Sequence, residues 1–183
     1  GELLLEWQGL AEELDIMIVA GYAELDPSGT VFNSAVIVDA TGVLAHYRKV
    51  HLWDFENELF TAGEELPPVI DTKFGRIGLL ICYDLEFPEW VRTLALRGTE
   101  LLCAPVNWPL YPRPEGERPT EVVKVQASAS VNRMAIAACD RSGEDRGQLW
   151  VGGSTIVDAD GYPLALAKLG APGSCPAALN IND

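Results

Sequence analysis

The sequence predicts an α/β fold in which two sheets pack against each other with helices outside. Three observations carry that expectation. Short apolar runs, too brief for helices, recur along the chain and read as strands. Two pairs of them are joined by glycine-containing turns, which makes antiparallel hairpins. A strand–helix–strand stretch follows, and it demands a parallel crossover. The length of 183 residues, 48% of them hydrophobic, fits one domain able to bury roughly 70% of its unfolded surface.

Taken in order, Leu3, Leu4, Trp7, Leu10, Ala11 and Leu14 recur at helical spacing, so residues 2–14 read as an amphipathic helix, one that opens without an N-cap. Ile16 to Ala20 is a buried strand ending at Gly21, with Glu24 just beyond. Val31 to Asp39 and Val43 to Val50 form a hairpin around Ala40-Thr41-Gly42. Residues 51–68 are too long for a plain connection, which points to function. Trp53, Phe55, Glu56 and Phe60 lie there, either lining a pocket or covering the sheet. Val69 to Asp71 and Arg76 to Ile81 make a second hairpin, and Cys82 stands where its second strand ends.

Pro88 suits a first helical position, Glu89 suits the positive end of the helix dipole, and Gly98 stops the helix near residue 97. Glu100 to Val106 is the next strand. The proline-rich loop 107–114 after it should roof the same crevice as Cys82, making Asn107 and Trp108 pocket-wall candidates. Thr120 is expected to cap a helix over residues 121–132 that buries Val122, Val125, Ala129 and Val131. Met134 to Cys139 is a buried strand whose cysteine reads as core. Trp150 to Asp158, Pro163 to Ala167 and Ala177 to Ile181 close the chain as strands, with Asp158-Ala159-Asp160-Gly161 as a turn.

Thirteen basic against 27 acidic residues leave a net charge of −14. Such a surface repels nucleic acid and anionic lipid, and weakly favours neutral or cationic substrates. No apolar stretch approaches the length of a membrane span. The four cysteines show no paired spacing and there are only two histidines, so neither a disulfide framework nor a zinc site is expected, and the chain is assigned to the cytoplasm. No cofactor is implied.

A cysteine at the carboxyl end of a strand faces the side where open α/β sheets place their chemistry. Out of context such a cysteine is more often a small core residue. Here the turn leaves the N–H of Tyr83 free to receive an oxyanion, and a nearby cation would favour the thiolate. Lys49, at the end of the preceding hairpin, is the candidate cation, although most lysines are solvated surface charges.

Tyr47-Arg48-Lys49-Val50-His51-Leu52, Glu56, Phe60-Thr61-Ala62-Gly63, Gly75-Arg76-Ile77-Gly78, Ile81-Cys82-Tyr83-Asp84 and Phe87-Pro88-Glu89 together resemble the nitrilase superfamily of carbon–nitrogen hydrolases. Gly21-Tyr22-Ala23-Glu24, Asn33-Ser34-Ala35, Pro105-Val106-Asn107-Trp108 and Gly152-Gly153-Ser154 extend the resemblance over nearly the whole chain. It implies an α–β–β–α sandwich of two mixed sheets and a Glu–Lys–Cys triad. Cys82 would be the nucleophile, Lys49 the oxyanion-stabilising lysine, and Glu56 an additional acidic residue, with Glu58 as its alternative. Apart from the resemblance, Asn107, Trp108 and Trp53 are the substrate-contact candidates by their place in the two loops, with ordinary packing as the alternative.

The family places its general-base glutamate in a Pro-Glu motif upstream of the lysine, and no such motif precedes Lys49. Residues 1–183 are therefore expected to be one carbon–nitrogen hydrolase domain lacking its N-terminal part. Glu24 stands where the family carries a glutamate, and reads equally as a salt-bridge partner. Cys-Tyr-Asp followed by Phe-Pro-Glu looks more like the amidase branches than like true nitrilases. A small aliphatic amide is the first expected substrate; an N-carbamoyl amine or amino acid, a nitrile, and a non-catalytic binding role are the alternatives. Trp90, Val91, Leu94 and Leu96 give the helix after Cys82 more apolar surface than one stripe needs, so a homodimer through that helix is expected.

Overall fold

The computed structural model describes residues 1–180. Strands β1 (Ile18–Leu25), β2 (Val31–Asp39) and β3 (Gly42–Arg48) form an antiparallel sheet in the order β1-β2-β3. A second, six-stranded sheet contains β4 (Val69–Thr72), β5 (Gly75–Leu79), β6 (Leu101–Val106), β7 (Ala135–Asp140), β10 (Thr155–Val157) and β11 (Pro163–Leu166). Its order is β11-β10-β7-β6-β5-β4. Among the described residues only β5 with β6 and β6 with β7 pair in parallel, as the crossover implies. Strands β8 (Ser142–Asp145) and β9 (Gln148–Val151) form a separate small hairpin.

The sheets stack face to face through β1 on β6, β2 on β5 and β3 on β4. Helix α1 (Glu2–Leu14) lies against β2 and β3. On the far side, α3 (Pro88–Leu96) and α4 (Thr120–Asn132) pack on each other, and α4 packs on β7 and β10. The result is the α–β–β–α sandwich. Because β2 is covered on both faces, Ala35, Val36, Ile37 and Val38 are all buried in succession. Gly78 lets α3 come close to β5, since a Cβ there would sit 2.9 Å from Thr99 Cγ2 and 3.2 Å from Leu94 Cδ2.

Several expectations are corrected. Strand β1 does not end at Gly21; all eight residues to Leu25 pair with β2, because the sheet partner overrides the glycine. Of the α1 stripe only Ala11 is buried, while Leu3, Leu10 and Leu14 are exposed. The helix touches its sheet along a narrow line through Ala11 and Trp7, whose ring meets Tyr22 edge-on at 6.1 Å. Val131 is 74% exposed, since it lies two positions from Ala129 and so on the other side of the helix. The N-cap of α4 is Pro119, and Thr120 is its first helical residue.

Trp90 is not an exposed aromatic; it packs against the core and donates to the Tyr47 hydroxyl at 3.1 Å. Cys139 is exposed rather than core, because alternation along β7 turns it away from the buried Ala138. Trp150 and Val151 belong to β9, and the strand after them is only Thr155–Val157. Residues 177–180 adopt no regular structure, and Ile181 lies outside the described residues.

Candidate active site

Lys49 follows β3 directly, and its backbone is held from both sides: its N–H donates to Asn33 O and its carbonyl accepts from Gly63 N, each at 2.8 Å. Position 63 must be glycine, because a Cβ there would collide with the Arg48 carbonyl. The Lys49 side chain is 1% exposed, and its Nζ lies 2.5 Å from Glu56 Oε2. Glu56 sits in helix α2 (Glu56–Leu59). It also accepts from Trp53 N at 2.7 Å and, on Oε1, from Asn33 Nδ2 at 2.8 Å. Both of its oxygens are thereby engaged. Glu58, its alternative, is exposed.

Cys82 opens a 3-10 turn, Cys82–Glu86, after Leu80 and Ile81 have left the end of β5. Its φ of 46° places a non-glycine residue in the left-handed region, a conformation that persists only where the surroundings over-determine it. Asn107 N points at the sulfur from 3.5 Å. Among the described residues no acceptor takes the N–H of Tyr83. Burial pushes the Cys82 thiol up to about 11, against the pull of Lys49 and the Asn107 N–H, while Glu56 and Asp140 add to the rise.

Lys49, Glu56 and Cys82 line one cleft of about 510 Å³. Trp53, Phe55, Phe60 and Asn107 contribute to its wall as the sequence suggested, whereas Tyr22, Asn33, Arg141 and Trp150 were not foreseen as lining residues. Trp108 is absent from that wall. It is 4% exposed, donates its N–H to Asp140 Oδ1 at 2.9 Å, and borders a smaller pocket of about 210 Å³ that Cys82 also touches. It belongs to the core cluster as well.

Glu24 is separate. It accepts from Arg48 Nη2 at 2.5 Å, Arg48 Nε at 3.0 Å and Ser34 Oγ at 2.6 Å, and lies 3.0 Å from His46 Nε2. Glu24, Arg48 and His46 line a different pocket, so Glu24 is a salt-bridge residue. Two carboxylates were missed, Asp84, which is buried, and Asp140, which is partly so. Asp84 accepts from the Tyr47 hydroxyl and from the backbone N–H groups of His51 and Ile81, and lies 2.7 Å from His51 Nδ1. Asp140 accepts from Trp108 N and, at 2.8 Å, from Gly153 N, and burial pushes its carboxyl up to about 6. The adjacency of Asp84 to Cys82 was the signal for the first; nothing in the sequence marked the second. Among the described residues, no group of three or more His, Cys, Asp or Glu side chains is arranged to hold a metal.

The carbon–nitrogen hydrolase family profile matches residues 1–183. The chain belongs to that family. It is 35% identical over 170 residues to a nitrilase of Pyrococcus abyssi, covering 92% of this chain and 61% of that protein. It is 36% identical over 151 residues to an (R)-stereoselective amidase of a Pseudomonas species, covering 82% of this chain and 53% of that one. Among solved structures, an amidase from Nesterenkonia sp. AN1, seen as a cysteine-to-alanine mutant in complex with butyramide, superposes with a TM-score of 0.87 at 29% identity. That match covers 98% of this chain and 67% of the amidase. A second structure of the same amidase, with a TM-score of 0.86 and 30% identity over 96% of this chain and 65% of its own, carries the acetamide moiety of fluoroacetamide on its active-site cysteine. These are nitrilase-superfamily amidases, and the sandwich described above is their fold. The chain spans a little over half the length of the two curated relatives.

Proposed function

We propose that the protein hydrolyses a small aliphatic amide to a carboxylic acid and ammonia through a cysteine thioester. One observation carries this reading: a left-handed cysteine after a strand of one sheet, and a buried lysine after a strand of the other with Glu56 as its partner, converge on one cleft. The Cys82 sulfur attacks the amide carbon, and the carbonyl oxygen becomes an oxyanion facing Lys49 Nζ and the Tyr83 N–H. Each good donor there is worth about 3–4 kcal/mol. The C–N bond breaks with a proton delivered to nitrogen, and water then cleaves the thioester to regenerate the thiol.

With the thiol raised to about 11, the resting sulfur is protonated, so attack needs a base. Glu56 is the one carboxylate lining the cleft among the described residues, and its oxygens already accept from Lys49, Asn33 and Trp53. We therefore assign the acid–base role to a carboxylate outside these 183 residues, for which the greater length of the relatives leaves room. These residues alone should hydrolyse propionamide about 10²–10⁴-fold more slowly than a version extended upstream; equal rates would overturn the assignment.

Arg141 in the cleft wall supports a second reading, an N-carbamoyl amino acid whose carboxylate pairs with the guanidinium. Ammonia release from propionamide, an N-carbamoyl amino acid and a nitrile, compared in the extended enzyme, decides among these. Propionamide is expected to be fastest, and silence toward all three would favour the non-catalytic role. The free state of all four cysteines supports a cytoplasmic setting, and Leu96, 72% exposed at the end of α3, supports the homodimer. Sedimentation showing only monomer at micromolar concentration would exclude that dimer.

A further inference from the structure

The cleft's two key side chains come from segments that touch through one buried group. Asp84 is completely buried. Its Oδ1 accepts from the His51 N–H at 3.0 Å and lies 2.7 Å from His51 Nδ1. Its Oδ2 accepts from the Tyr47 hydroxyl at 3.0 Å and the Ile81 N–H at 3.2 Å. Beside an ionised carboxylate, Nδ1 is the nitrogen that carries the His51 ring proton.

The positions of these donors matter. Tyr47 and His51 stand two residues before and two residues after Lys49, whereas Ile81 and Asp84 bracket Cys82. One carboxylate thus ties both flanks of the lysine to both flanks of the nucleophile. Around it, the His51 ring stacks on Phe87 at 3.7 Å with a 16° interplanar angle. Trp90 Nε1 donates to the Tyr47 hydroxyl at 3.1 Å, which brings α3 into the same cluster.

We infer that Asp84 is a positioning residue that holds the Lys49-bearing strand end in register with the Cys82 turn. The left-handed backbone at Cys82 requires such over-determination, and the Asp84 bond to Ile81 N–H closes the turn directly in front of it. The inference rests on the proposed pairing of Lys49 with Cys82 in one reaction. It differs from plain satisfaction of buried polar groups, because it requires that the influence of Lys49 on Cys82 pass through Asp84. In Asp84→Asn one acceptor oxygen becomes an NH₂ facing two donors, so the register is lost while side-chain volume is kept.

A double-mutant cycle on the rate of Cys82 alkylation by iodoacetamide tests this, with peptide mass mapping to separate Cys82 from the other thiols. Lys49→Met in the native background should slow alkylation about tenfold, the effect of removing one neighbouring cation worth about one pKa unit. In the Asp84→Asn background the same substitution should slow it less than about twofold. If Lys49→Met costs about tenfold in both backgrounds, the inference is overturned and the catalytic pairing stands. If Lys49→Met has no effect in the native background, both fall. Should circular dichroism show Asp84→Asn unfolded, Tyr47→Phe replaces it. That variant removes one donor of the four, and the same reduced or undiminished lysine effect supports or overturns the inference.

Discussion

Arg48 and Lys49 are neighbours at one strand end, and each is paired with a glutamate, yet the two pairs do different work. The Arg48–Glu24 pair sits on one face of the sheet, where Arg48 keeps 33% of its side chain exposed and His46 and Ser34 share the carboxylate. The Lys49–Glu56 pair sits on the other, with Lys49 1% exposed and Cys82 in the same cleft. The backbone alternation of a strand sends adjacent cations to opposite faces. Position relative to the second sheet then decides which of them shares a cleft with Cys82. A surface pair is worth little in stability, whereas a buried one is costly to break and able to act on a neighbouring thiol.

Substitutions separate the two faces. Cys82→Ala should abolish amide turnover in the natural enzyme and any covalent adduct at position 82, with the circular dichroism spectrum unchanged, because a thiol at a turn contributes little packing. Lys49→Met should lower the turnover number about 10²–10³-fold, the usual cost of removing an oxyanion donor, measured by ammonia release. Glu56→Ala strands the Lys49 ammonium and should cost about 3–5 kcal/mol in urea unfolding, and Lys49→Met combined with Glu56→Gln should recover part of that loss. Equal turnover in Lys49→Met and the parent would erase the distinction between the faces.

On the outer face the effects are smaller. Arg48, with help from Ser34 and His46, holds the Glu24 carboxyl down at about 2, below its ordinary 4.5. A lowered folded-state pKa means the pair's stabilisation is fully present above the ordinary value and is lost as pH falls through about 2. Glu24→Gln should therefore cost about 1 kcal/mol near neutral pH and nothing at strongly acid pH. Alkylation of Cys82 should be unaffected, and a slowed Cys82 in that variant would mean that the two faces communicate.

What the sequence made legible follows the same division. Cys82, Lys49, Glu56, Trp53 and Asn107 were readable because each stands at a strand end or in a loop whose length or turn chemistry is unusual, and the family motif orders them. Asp84, Asp140 and Arg141 were not, since their roles depend on which distant backbone donors or cleft walls they meet, and no periodicity encodes that. Trp108 was placed only in part, since it walls the smaller pocket beside Cys82 and not the main cleft: a tryptophan in a proline-rich loop can wall a pocket or fill the core, and only the packing of neighbouring elements chooses. The strands with long apolar runs were found, whereas the end of β1 and the hairpin of β8 with β9 were missed, because Gly21 reads as a stop until β2 claims the residues beyond it and residues 142–149 carry no apolar run. Helix α1 shows the limit of a hydrophobic stripe, which marks a helix without saying how much of it the sheet will cover.

The central claim, that Cys82 is the cleft's nucleophile, meets its most direct test in competition labelling. Cys139 is the exposed thiol and Cys82 the one in the cleft, so limited iodoacetamide treatment with and without butyramide, followed by peptide mass mapping, reads both at once. Butyramide should protect Cys82 from alkylation and leave the labelling of Cys139 unchanged. Equal labelling of Cys82 with and without the amide, or protection of Cys139 in its place, would contradict the assignment.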